Sequence, residues 1–147
     1  MHSSVRFAAI ALGIATLAAP AFAQTPPPPP WRPYPVLGAD LGLGGTGSFS
    51  AVDNTDTGQL CYMIFAAGAQ NVTGASIRDA KSHAPVVALQ APGAGGTSGA
   101  CANVDKGLAK MLADKPGNYY VALDSAAYPN GVAASGALTS ALGVAIG

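Results

Sequence analysis

Gln59-Leu60-Cys61-Tyr62-Met63-Ile64-Phe65-Ala66 decides the fold class. Leu60, Tyr62 and Ile64 share one face of this run, while Cys61, Met63 and Phe65 share the other. An apolar run with period-two alternation and no polar face predicts a strand lying centrally in a sheet. Just upstream, residues 48–52 read as a second strand, and Asn54-Thr55-Asp56-Thr57-Gly58 is a run of turn formers. The two segments are therefore expected to form a hairpin, with Cys61 rigidly placed in its second arm.

Working outward, residues 73–78 and 85–89 are further strand candidates, the second carried by Val86, Val87 and Leu89. Between them lies a polar loop, Asp79-Ala80-Lys81-Ser82-His83. Residues 91–99 are rich in Gly, Ala and Ser and are expected to be a mobile loop ending just before Cys101. One helix is expected over 106–114, with Asp105 or Asn103 as N-cap and Leu108, Met111 and Leu112 as its apolar stripe. Pro116-Gly117 stops it. Residues 118–124 and 132–138 read as strands joined through Pro129-Asn130-Gly131, where Asn-Gly favours a tight turn. Residues 139–147 are apolar but too short to span a membrane, and are expected to be an added edge strand or a tail. About seven short strands and a single short helix predict an all-β antiparallel Greek-key sandwich, or a squat barrel of the same connectivity.

The N-terminal region has a different composition. Arg6 precedes an uncharged apolar run over 7–19, and Pro20 and Ala21-Phe22-Ala23 follow. That order is the pattern of a secretory signal peptide over 1–23, cut before Gln24. Residues 24–37, with five consecutive prolines from Pro26 to Pro30, are expected to be a linker in polyproline II conformation. It reads as a stalk, or else as a docking ligand with Trp31 and Tyr34 as anchors. Beyond the cut the chain keeps six Lys and Arg against seven Asp and no Glu. So balanced a charge offers no basic stripe for nucleic acid, and no membrane span is expected after the signal. The expected location is outside the cytoplasm, in the periplasm or the extracellular space, with an unknown protein or envelope component as partner.

Cys61 and Cys101 are the only cysteines, and a disulfide is the simplest reading in an oxidising compartment. A metal site is the competing reading, but it needs more ligands than these two and His83 supply. Catalytic chemistry finds little to work with. His83 has only Ser82 and Lys81 beside it, and Thr97-Ser98-Gly99 lacks the strand-to-helix setting of a nucleophile elbow. The seven Asp residues are scattered, most of them in turns or caps, and the glycines form no phosphate cradle. No enzyme activity and no cofactor are expected.

Several of these residues, taken together, resemble a known family. Leu60-Cys61-Tyr62 on the strong strand, Pro85-Val86-Val87, Cys101 before the helix, Pro116-Gly117-Asn118-Tyr119-Tyr120-Val121, and Tyr128-Pro129-Asn130-Gly131 are similar in order and spacing to the chordin-type CHRD domain. That domain occurs in secreted proteins, many of them bacterial. The resemblance implies an immunoglobulin-like or superoxide-dismutase-like sandwich over 38–138 and supports pairing Cys61 with Cys101. Members typically carry His-Ile-His on a middle strand and His-Thr after the Tyr-Tyr-Val strand, groups suited to a metal. Here Ser76-Ile77-Arg78 and Asp124-Ser125 occupy those positions, and Val132-Ala133-Ala134-Ser135 replaces a usual Arg. If the two strands are neighbours, Arg78 and Asp124 are expected to pair in place of a metal site. The function so implied is an exported, non-catalytic binding or structural module. A metal-binding or superoxide-dismutase-like protein is the disfavoured alternative, and a self-assembling matrix component is the other.

Overall fold

The computed structural model describes residues 33–43, 46–128 and 130–141. The expected signal peptide, the proline run with Trp31, and residues 142–147 lie outside the described residues. The elements are β1 (Val36–Asp40), β2 (Gly47–Asn54), β3 (Gln59–Ala66), β4 (Gly74–Asp79), β5 (Pro85–Leu89), β6 (Thr97–Asn103), α1 (Lys106–Asp114), a 3-10 turn (Pro116–Asn118), β7 (Tyr119–Asp124), β8 (Val132–Ala137) and β9 (Thr139–Ala141).

Two antiparallel sheets stack face to face, one in the order β6-β3-β2-β1-β9 and the other β5-β4-β7-β8. The β3/β6 and β4/β7 neighbours are not consecutive in sequence, so the connections cross between sheets in Greek-key fashion. Among the described residues the observed class is thus an all-β sandwich with one α-helix. Alternation along the strands supplies the core: Leu37, Phe49, Leu60 and Ile64 from one sheet meet Ile77, Val121 and Leu123 from the other, all fully or almost fully buried. Each such side chain contributes about 1.5–3 kcal/mol of burial free energy. The Tyr62 hydroxyl accepts a 2.7 Å bond from the Gln90 N–H just past β5, tying the sheets together at one side.

The structure corrects several expectations. β3 does lie centrally, but only its Leu60-Tyr62-Ile64 face is buried, while Met63 and Phe65 are 52% and 44% exposed. Central placement needs neighbours on both edges, which β2 and β6 supply; it does not need a second layer over the outer face. β1 begins at Val36, inside the segment assigned to the linker, because Leu37 and Ala39 face the core and the Pro35 carbonyl already accepts from the Asp53 N–H at 2.9 Å. Residues 97–99, expected to be loop, open β6, which pairs with β3 from Phe65↔Thr97 to Gln59↔Asn103. Its sequence has low strand propensity, so this strand comes from its neighbour and its cross-link and not from local preference. In α1, Met111 is exposed and the buried positions are Ala109 and Leu112, with Leu108 partly buried. Asp105 is the N-cap, accepting from the Gly107 and Leu108 N–H groups, while Asn103 belongs to β6.

Candidate functional site

The outer face of the four-stranded sheet collects the polar side chains that the sequence singled out. Ala75 and Ile77 of β4 point into the core, so Ser76 and Arg78 point outward; Val121 and Leu123 of β7 do the same for Tyr120 and Asp124. The register pairs Gly74 with Asp124 and Arg78 with Tyr120, which leaves Arg78 and Asp124 on a diagonal. Arg78 Nη2 spans it, donating to both carboxylate oxygens of Asp124 at 2.7 Å, while its Nε donates to Ser76 Oγ at 3.0 Å. Gly74 leaves the room that the carboxylate occupies, since a Cβ there would stand 3.3 Å from Asp124 Oδ2. The pair is partly open, at 22% and 33% side-chain exposure.

His83 borders this face. It adopts a left-handed φ of 58° at the β4–β5 turn and brings its Nδ1 to 3.2 Å from the Tyr120 hydroxyl. The turn is held by Asp79, whose Oδ1 accepts from the Ser82 and Lys81 N–H groups and from Ser82 Oγ. Those bonds, the Ser82 amide first, hold the Asp79 carboxyl below the ordinary range. Arg78 is thus partnered with Asp124, Asp79 with its own turn, and His83 with a phenol. Such an array can hydrogen-bond a ligand through its exposed imidazole, phenol and carboxylate groups. Among the described residues no group of three His, Cys, Asp or Glu is arranged to hold a metal ion.

The five-stranded sheet presents a different outer face. Cys61 and Cys101 are bonded to each other and stand directly opposite on β3 and β6. The bridge therefore fastens two neighbouring strands on the solvent side, and it fixes the strand that the sequence read as the end of a loop. Val36, Val52, Cys61 and Cys101 form one row across the sheet, and Gly38, Ser50, Met63 and Gly99 form the next. Small residues around Met63 leave an open apolar trough of about 570 Å³. Of the proposed docking anchors, Tyr34 is 40% exposed and Trp31 is outside the described residues.

A second cavity, of about 540 Å³, opens at one end of the sandwich between the β3–β4 and β5–β6 loops. Ala67, Gln70, Asn71, Pro92 and Gly96 line it, with no titratable side chain among its walls. Gly96 has a φ of +71°, and a Cβ there would lie 2.6 Å from Ala67 Cα, so only glycine lets the two loops close. Ser125 Oγ donates to the Gln70 carbonyl at 2.9 Å and braces one wall. The cavity offers amides and backbone groups, which suits recognition and not acid–base chemistry. Sequence reading missed it, because its walls are ordinary loop residues until the fold brings them together.

One buried group stands apart from these surfaces. Asp53, on the inner face of β2, is fully buried, and neither carboxylate oxygen has a hydrogen-bond partner among the described residues. Desolvation pushes its pKa up to about 6. The strand read from the sequence stops at residue 52, one short of Asp53, and nothing in the sequence shows that its carboxylate would lack a partner among the described residues. Among the described residues no helix is long and apolar enough to cross a membrane.

The model of the CHRD domain matches residues 36–132. No curated protein and no solved structure gives a significant match to the chain. The matched segment runs from the first residue of β1 to the first of β8 and includes the bridge, the Arg78–Asp124 pair and both loops of the end cavity.

Proposed function

The chain belongs to the CHRD domain family, and on that premise we propose that it is an exported, non-catalytic binding or structural module of the cell envelope or extracellular space. The observation that carries this reading is the joint state of its polar groups and its sulfurs. Arg78, Asp124, His83 and Asp79 are engaged with partners on the protein itself, and Cys61 is bonded to Cys101. A disulfide between these two cysteines favours an oxidising compartment, in keeping with the signal-like residues 1–23. The loop-end cavity supplies a recognition surface of amides and small side chains. Within this reading the proline segment 24–35 acts as a stalk that holds the sandwich away from its attachment.

The test is capture from envelope and culture-medium fractions with the oxidised protein as bait. A partner retained by the protein, and released when Gln70 and Asn71 are replaced by bulkier residues, supports the reading. Stoichiometric copper or zinc in protein purified without a His-tag would overturn it in favour of a metalloprotein.

A further inference from the structure

We propose that the free edge of β6 pairs with β6 of a second copy of this chain, joining two five-stranded sheets into one. The proposal stands on the edge itself and does not depend on the functional reading above. β6 is the terminal strand of its sheet. At its two ends, the Ala66 N–H donates to the Gly96 carbonyl and the Val104 N–H donates to the Gly58 carbonyl, both at 2.7 Å. With the unbroken register between β3 and β6, these bonds set the parity of the strand: residues 98, 100 and 102 turn their backbone groups toward β3. Thr97, Gly99, Cys101 and Asn103 therefore direct theirs outward, and among the described residues the one bond made there is to the Thr97 carbonyl, from the Gly93 N–H at 3.3 Å.

The other three sheet edges are protected in ways that β6 is not. β5 begins with Pro85 and has a register shift opposite Ile77/Arg78; β8 has a shift opposite Leu123/Asp124; β9 is only three residues long. Proline, bulges and shortness are the usual devices against edge pairing. β6 has seven residues, no charge, no proline and no shift. The outer face of neighbouring β3 is also uncharged, with Met63 and Phe65 exposed; the charge on that sheet face is Asp40, two strands further on in β1.

The occupant is a second copy because the strand is self-complementary. An antiparallel register that sets Gly99 against Cys101 of the partner subunit also sets Thr97 against Asn103 of the partner subunit. The outward groups then meet in hydrogen-bonded pairs, except that the Thr97 carbonyl already accepts from the Gly93 N–H, and the facing side chains are small. β9, the last described strand, lies at the opposite edge of the sheet, and a sequence as proline-rich as 26–35 has few amides to offer a strand edge. Pairing would also make the two Met63–Phe65 stripes parts of one apolar face.

Sedimentation of the oxidised full-length exported chain, together with amide hydrogen exchange at low and high concentration, tests this. The expected mass doubles as concentration rises, and the Gly99, Cys101 and Asn103 amides gain protection while those of 98, 100 and 102 stay protected throughout. Thr97→Lys with Asn103→Lys abolishes the doubling and leaves 98, 100 and 102 protected, which shows that the variant is folded; Ser48→Lys with Ser140→Lys leaves the doubling intact. A wild-type protein that stays monomeric, a dimer that survives the edge lysines, or a dimer without new protection at 99, 101 and 103 would each overturn the proposal. Capture of a foreign extended segment by a monomeric chain belongs to the same overturning set.

Discussion

Arg78 reaches diagonally across two neighbouring strands to hold Asp124, with one guanidinium nitrogen 2.7 Å from both carboxylate oxygens. The diagonal exists because Asp124 stands opposite Gly74, whose missing side chain leaves space for the carboxylate, while Ser76 steadies the Arg78 Nε. Partial exposure weakens the Coulomb attraction, and hydrogen bonding with a charged donor and acceptor restores part of it.

Arg78→Ala and Asp124→Ala are each expected to lower stability by about 1 kcal/mol, with a coupling of about 0.5–1 kcal/mol in the double-mutant cycle. Denaturant unfolding of the four proteins measures it. Effects that simply add would mean that the two side chains are neighbours without being partners.

Asp53 makes stability depend on pH in a defined window. Its carboxyl is neutral more readily in the fold, at a pKa of about 6, than in the unfolded chain near 3.8, so the native state binds more protons between those values. Stability is therefore highest for this group below pH 4, falls as pH rises toward 6, and stays lower above it. At about 1.4 kcal/mol per pKa unit the loss is of the order of 3 kcal/mol. Asp53→Asn should flatten that stretch of the curve, and thermal melts of both proteins from pH 4 to pH 7.5 read it, with the slope expected in wild type alone.

Opening the Cys61–Cys101 bridge removes a closure of 40 residues, for which the chain-entropy model gives roughly 4 kcal/mol. No residue of β6 is fully buried, so the strand has little else to hold it. Cys61→Ser with Cys101→Ser is expected to lower the melting temperature and to speed amide exchange across 97–103 before the β4–β7 pair is affected. Exchange that accelerates uniformly over both sheets would show that the bridge supports the whole fold and not one strand.

Tyr62→Phe deletes the hydroxyl that accepts the Gln90 N–H and keeps the ring stacked on Phe49 at 6.2 Å between centroids. The expected cost is about 0.5–1.5 kcal/mol. An unchanged unfolding midpoint would mean that water replaces the hydroxyl at no cost.

Much of this molecule was legible from local pattern. β3, β5 and α1 begin and end where alternation, Pro85, Asp105 and Pro116-Gly117 say they should, because those signals act within a few residues of the chain. The meeting of Arg78 and Asp124 was legible only through a resemblance that made their strands neighbours. β6 was not legible, since Thr-Ser-Gly-Ala-Cys-Ala-Asn has no strand preference of its own and is held by β3 and a covalent bridge. The central place of β3 was legible from its two apolar faces, but the exposure of one of them was not: no layer of the described fold covers Met63 and Phe65.

By itself, then, the order of residues determined the class of fold, the two cysteines available for bonding and the scarcity of reactive groups, all of which follow from composition and short-range periodicity. Only the tertiary structure decided which polar groups find partners, that Asp53 is buried without one among the described residues, and which edge of the described sheets is left open. Those outcomes depend on register and on the distance between segments far apart in the chain, quantities that no local pattern carries.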